Sequence, residues 1–176
     1  MGVNFGFIHE KLEIKILILF MLRRLPVPVP LDTLAELTIC DDGISYFDFT
    51  QCVAELVETG HLYFREDMYS LTAKGAHNGE VTENGLPYSI RIKAENIAAA
   101  FRSELSRNAM INTQRSANTD GGFTVSLSLS DGLGSIMSME MFTGDEKQAA
   151  ALERGFRRNA EGVYNKLLEM LLGSQE

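Results

Sequence analysis

The stretch SYFDFTQCVAELVETGHLYFREDMYSL, residues 45–71, contains the change of hydrophobic period that decides the fold. In its first half Tyr46, Phe49, Val53 and Leu56 recur every three or four residues, the spacing of a helix with one covered side. Ser45 stands where an N-cap oxygen can accept from the first turn, and Asp48 adds a first-turn carboxylate favoured by the helix dipole. Gly60 suits a left-handed cap at the other end. Beyond it the period falls to two. Leu62, Phe64, Tyr69 and Leu71 alternate on either side of Glu66-Asp67, which predicts a hairpin from strands at 61–65 and 68–71.

Upstream, residues 7–25 predict a helix whose apolar residues surround most of its circumference: Leu12, Ile16, Leu19 and Leu22 on one side, with Ile14, Leu17, Ile18 and Met21 elsewhere. Such a helix is buried on several sides. Pro26, Pro28 and Pro30 stop it and force an extended connector. Residues 31–38 predict a short second helix with Leu31, Leu34 and Leu37 inward, ended by Asp41-Asp42-Gly43. Helix, short helix, helix and hairpin, in that order, predict a winged helix-turn-helix domain over residues 1–79.

Downstream, Thr72-Ala73-Lys74-Gly75 leads out of the hairpin, and the polar stretch 78–87, with Gly79 and Gly85, reads as a joint between domains. Residues 88–107 predict a long amphipathic helix with Ile90, Ala94, Ile97, Ala98, Phe101 and Leu105 on one side. Strands follow at 110–115, 123–130 and 135–142. In the second, Val125, Leu127 and Leu129 alternate with serines, and in the third Met137, Met139 and Met141 repeat the pattern. Residues 145–172 predict a last helix, ended by Gly173. The expected class is α+β: the N-terminal winged helix-turn-helix, then residues 80–176 as a small antiparallel sheet packed with two long helices, for dimerisation or sensing.

Connected features of the chain resemble a bacterial family of domains of unknown function whose members are described as winged-helix transcriptional regulators. They are Glu10-Lys11-Leu12-Glu13-Ile14-Lys15-Ile16-Leu17, the Pro26-to-Pro30 connector, Cys40-Asp41-Asp42-Gly43-Ile44-Ser45-Tyr46-Phe47-Asp48, Thr59-Gly60-His61-Leu62, Tyr69-Ser70-Leu71-Thr72-Ala73-Lys74-Gly75 and Leu86-Pro87-Tyr88-Ser89. The resemblance runs from the N-terminus through at least Glu95 and less distinctly to the C-terminus. It implies the winged-helix fold and a regulatory role, and it brings no catalytic or ligand residues.

If the module binds double-stranded DNA, its third helix enters the major groove. Ser45, Asp48, Thr50 and Gln51 are then the candidate contacts on that helix, with Arg65 at the hairpin tip and Lys74 just beyond it. Gln51 suits adenine, Ser45 a phosphate or base edge, and Asp48 can accept from cytosine. A homodimer would present two such helices to two half-sites. Charge opposes this reading. The chain carries 16 basic and 24 acidic residues, a formal charge of −8. Residues 1–80 hold six of the former (Lys11, Lys15, Arg23, Arg24, Arg65, Lys74) against Glu10, Glu13, Asp32, Glu36, Asp41, Asp42, Asp48, Glu55, Glu58, Glu66, Asp67 and Glu80. Phosphate neutralisation supplies most non-specific affinity. The alternative is therefore a winged-helix protein-interaction module without DNA binding. A third reading uses the methionine stripe at 137, 139 and 141 as a ligand surface, against the plainer one of a sheet face packed on helices.

No phosphate loop, G-x-G-x-x-G, G-x-S-x-G or H-E-x-x-H occurs, and Asp41-Asp42 beside Gly43 reads as a turn. The expectation is no enzyme, no cofactor and no metal, since Cys40, Cys52 and His61 match no zinc spacing. The longest apolar run near the start, 14–22, is interrupted by Lys15 and too short for a bilayer. Met1-Gly2 opens like an acylation site, but Gly6 stands where Ser or Thr is needed. No signal peptide is read. Two cysteines make no disulfide framework, so a cytoplasmic location is expected.

Overall fold

The computed structural model describes residues 7–173 apart from His9; the acylation reading at Met1-Gly2 lies outside the described residues. The elements run α1 (Lys11–Arg24), α2 (Leu31–Thr38), α3 (Tyr46–Glu58), β1 (Leu62–Arg65), β2 (Met68–Leu71), α4 (Ala73–Thr82), a 3-10 turn (Glu83–Gly85), α5 (Tyr88–Met110), β3 (Ile111–Ala117), β4 (Phe123–Ser130), β5 (Ser135–Thr143) and α6 (Glu146–Leu172). The class is mixed α+β, with two small antiparallel sheets, β1-β2 and β3-β4-β5. Two compact units divide inside α5, between Ser103 and Glu104. Among the described residues no helix is long and apolar enough to cross a membrane.

In the first unit α1 is the central helix. Ile14 and all residues from Ile16 to Leu22 are buried, which accounts for its apolar circumference. α2, α3 and α4 pack around it. The proline connector does more than stop α1. Val29 pairs with Tyr69 in both directions, N–H to O at 3.1 Å and 2.8 Å, adding one residue of strand to the hairpin edge. Its proline neighbours lack N–H donors, and the pairing needs only Val29 to supply one. At the hairpin tip Glu66 and Asp67 both take positive φ, 51° and 59°, as a two-residue turn matched to the strand twist requires.

The joint expected at 78–87 is instead α4 and the 3-10 turn. Thr72 caps α4 by accepting from Gly75 N–H at 3.0 Å. Gly79, read as part of the joint, and Gly75 before it are both points of close approach. A Cβ on Gly75 would lie 2.1 Å from the His61 carbonyl oxygen, and one on Gly79 would lie 2.8 Å from Arg23 Cδ and 3.2 Å from Leu19 Cβ. A larger residue at either place would push α4 off β1 or off α1.

A second correction concerns α5, expected to cover the C-terminal sheet. Its buried residues Ile90, Ala94 and Ala98 belong to the first unit's core, with Ile97 and Phe101 packed beside them. Arg24 of α1 ion-pairs with Glu95, and Arg102 donates to the Arg24 carbonyl at 3.0 Å, so polar bonds hold α5 to the same helix. Sequence periodicity says that a face is covered, and it does not say by what.

The second unit's core is drawn from Ile111 of β3, Val125, Leu127 and Leu129 of β4, and Ala149, Phe156 and Ala160 of α6. Antiparallel register places Met141, Met139 and Met137 opposite Val125, Leu127 and Leu129, on the same sheet face. The opposite face carries Thr124, Ser126, Ser128 and Ser130 of β4 beside Ser138 and Glu140 of β5, with the exposed Ile136 and Phe142 on the same side of β5. One helix, α6, therefore covers the sheet where two were expected. Asp145 caps it, accepting from Gln148 N–H at 2.8 Å. Inside it, Asn159 leaves helical geometry (φ −146°, ψ 41°).

Candidate functional site

α3 turns Phe49, Cys52, Val53 and Leu56 into the core. Its outward side carries the exposed Phe47, Ala54 and Glu58, with Thr50 and Gln51 half-buried. Ser45 is the N-cap. Its hydroxyl accepts from Asp48 N–H at 3.0 Å and donates to Asp48 Oδ2 at 2.6 Å, so these two candidate contacts already satisfy each other. The Thr50 hydroxyl donates to the Phe47 carbonyl at 2.9 Å.

Gln51 is held at both ends of its amide. Oε1 accepts from Lys11 Nζ at 2.6 Å, and Nε2 donates to Glu55 Oε1 at 3.1 Å. Lys15 Nζ lies 2.6 Å from Glu55 Oε2. This bond from Lys15 is the main reason the Glu55 carboxyl sits below its usual range. Lys11, Gln51, Glu55 and Lys15 thus form a polar seam between α1 and α3. At the far end of α3, Lys74 Nζ donates to the Thr59 carbonyl at 2.7 Å, a cation on a helix C-terminus. Arg65 is exposed on the hairpin, its guanidinium 4.7 Å from the centre of the Tyr63 ring.

Four of the expected contact residues therefore gather at α3, with Lys74 bonded to its C-terminal turn and Arg65 on the neighbouring hairpin. Lys11 and Lys15, cations the periodic reading assigned only to α1, are bonded to α3 side chains as well. The same helix also carries the carboxylates of Asp48, Glu55 and Glu58, and the hairpin tip those of Glu66 and Asp67. The sequence reading missed the aromatics. Tyr46 was placed on the inner stripe, yet it is 53% exposed, because in the first turn its ring reaches only the edge of Phe49, at 6.2 Å between centroids. Phe47 is 73% exposed. Phe64, read as part of the strand alternation, is half-exposed and lies against Tyr69, 4.8 Å between centroids.

The cysteine and histidine candidates lie apart in role. Cys40 and Cys52 are buried and free, and the Cys52 thiol points to the Lys11 carbonyl at 3.5 Å. His61 uses both ring nitrogens within the fold, Nδ1 at 2.8 Å from Thr59 Oγ1 and Nε2 at 2.8 Å from Asn78 Nδ2. The Thr59 hydroxyl donates to the Glu55 carbonyl and Asn78 Nδ2 can only donate, so a neutral ring protonated at Nδ1 satisfies both contacts. Burial, then the charges of Lys74 and Lys15, push the imidazole below its ordinary value, in the same direction. Among the described residues no group of three or more His, Cys, Asp and Glu is placed to hold a metal ion.

Neither a curated protein nor a solved structure matches the chain. A family model does: the one for the domain of unknown function DUF4364 matches residues 14–171, and the chain belongs to that family.

Proposed function

We propose that the first unit is a winged helix and that the protein is a DNA-binding transcriptional regulator that reads its target through α3 and the β1–β2 hairpin. The observation that carries this reading is the strand contributed by Val29. Helix, strand residue, helix, helix and hairpin, with Val29 bridged to Tyr69, is the order in which a winged helix joins its wing to its recognition helix. In that reading Thr50 and Gln51 face the base edges, Arg65 reaches a groove from the wing, and Lys11 and Lys74 exchange their internal acceptors for phosphates. The protein acts in the cytoplasm as a homodimer. Its second unit supplies the pairing or senses a signal.

The test is a titration of labelled duplexes from the gene's own upstream region at several salt concentrations. Three cations per copy, doubled in a dimer, give an expected slope of log affinity against log salt of about −5. Gln51→Ala should relax base preference, and Arg65→Ala should weaken binding to every sequence. Absence of binding at low salt overturns the proposal. The protein-interaction reading then takes its place, favoured by the exposed Tyr46 and Phe47 and by the carboxylates of α3.

A further inference from the structure

We propose that the C-terminal end of α6 docks on a second copy of the chain, over the β5 margin of that copy's sheet, in a two-fold contact. The proposal deepens the regulator reading, from which it takes the expectation of a pair, but the contact itself does not depend on DNA.

Among the described residues, two surfaces of the second unit lack cover within that unit, and each is what the other needs. The first is a helix end. Past the break at Asn159, Ala160, Val163 and Tyr164 still meet the sheet. Leu167, Leu168 and Leu171 continue that three- and four-residue spacing, flanked by Met170 and Leu172. Here the exposure is high: Leu168 36%, Met170 80%, Leu171 80% and Leu172 74%. An apolar run of this kind at the surface marks an interaction site.

The second is a strip of sheet. α6 is tied toward the β3 side. Arg115 of β3 ion-pairs with Glu146 at 3.4 Å and Glu153 at 3.8 Å, and Arg157 donates to Thr113 at 2.9 Å. Val125, Leu127 and Leu129 are buried beneath it, while their β5 partners are not. Met137 and Met139 are half-buried, and Met141 is 41% exposed on the same face. β5 is also an edge strand. Methionine side chains adapt to whatever packs on them.

Each chain thus has a helix end without a sheet and a sheet margin without a helix. A two-fold operation lets each copy supply what the other lacks, which is the self-complementarity an isologous contact requires. The side chains named present on the order of 600 Å² per copy, about 1,200 Å² over both, the lower edge of the range for specific interfaces.

The experiment uses the full chain. Sedimentation velocity at micromolar concentration should give twice the mass of one chain. Replacing Leu171→Glu together with Leu172→Glu, both so exposed that the fold has no need of them, should raise the dimer dissociation constant at least 100-fold with unchanged circular dichroism. Separately, Leu171→Cys with Met141→Cys should form a disulfide between copies under mild oxidation. A wild-type monomer overturns the proposal, as it would if another protein or the first unit covers the helix end. A dimer indifferent to the two glutamates also overturns it. So does cross-linking of Leu171→Cys to itself but not to Met141→Cys. The same samples are titrated with DNA. A dimer without DNA affinity overturns only the regulator reading, and a monomer that binds DNA overturns only this one.

Discussion

The two units differ in whether their own residues close their core. In the first, α1 is enclosed by α2, α3 and α4, with Leu17, Ile18 and Met21 fully removed from solvent. In the second, a three-stranded sheet offers one apolar face to one helix. That helix lies mainly over β3 and β4, leaving the β5 methionines half in solvent. The contrast separates two kinds of surface helix. α3 in the closed unit is stabilised by its own cap and by bonds to α1, and its exposed residues Phe47, Ala54 and Glu58 take no part in the core. The end of α6 in the open unit carries apolar groups that the fold leaves exposed.

Truncating the large core side chains would break this comparison most directly. Phe49→Ala removes a fully buried ring from the first core and should cost about 3–5 kcal/mol. Phe156→Ala should cost a similar amount in the second, where the ring is 4% exposed and fewer neighbours can refill the space. Amide hydrogen exchange read segment by segment tells the units apart. Protection should fall before Ser103 in the first variant and after Glu104 in the second. Loss of protection in both units from either change would mean that the cores unfold together and that the contrast is only geometric.

A pair of glycines sharpens it at smaller scale. Gly75→Ala sets a methyl 2.1 Å from a carbonyl oxygen of the packed first unit and should destabilise by about 2 kcal/mol or more. Gly155→Ala sits within α6, where a Cβ would meet nothing within 4 Å. It should stabilise by roughly 0.5–1 kcal/mol, the ordinary gain of alanine over glycine in a helix. Thermal unfolding of the two variants should move in opposite directions. Equal shifts would show that α4 yields where the close approach says it cannot.

Those glycines also mark where the sequence was legible. Signals that act within a few residues were readable: the Ser45 cap, the end of α3 at Gly60, the alternation of Val125, Leu127 and Leu129, and the Asp145 start of α6. Gly79 misled because a breaker and a close-packing residue look alike until the neighbouring helix is in place. The stripe on α5 announced a covered face, but the core it joins is that of the first unit, built from segments distant in the chain. At the candidate site the helix and its polar residues were readable in outline. The engagement of Gln51 by Lys11 and of Lys74 by the Thr59 carbonyl was not, since both bonds exist only once α1, α3 and α4 are packed. The exposure of Tyr46 turns on its first-turn position, which periodicity alone counts as inward.

The smallest expected effect concerns acid, and it bears on the segment leading into α3. Partial burial would by itself raise the Asp41 carboxyl. The N–H groups of Phe7 (3.0 Å), Ile8 (3.2 Å) and Gly43 (3.0 Å) all donate to it, and with the charge of Lys93 they outweigh burial and hold it below the usual carboxylate range. A carboxyl depressed in the folded state releases its proton more readily there than in the unfolded chain. Its contribution to stability is therefore complete above the unfolded value of about 3.9 and is lost as pH falls through the lower folded value. Asp41→Asn keeps one acceptor oxygen and no charge, so it should be less stable than the wild type at pH 7, and the gap should narrow steadily as the pH drops below about 4. Melting temperatures of both proteins from pH 7 to pH 3 measure this. A gap constant across that range would assign the Asp41 bonds a geometric role without a charge component. Narrowing confined to this acid window, with hydrogen exchange placing the loss in residues 7–103, would tie the residues preceding α1 to the turn that launches α3.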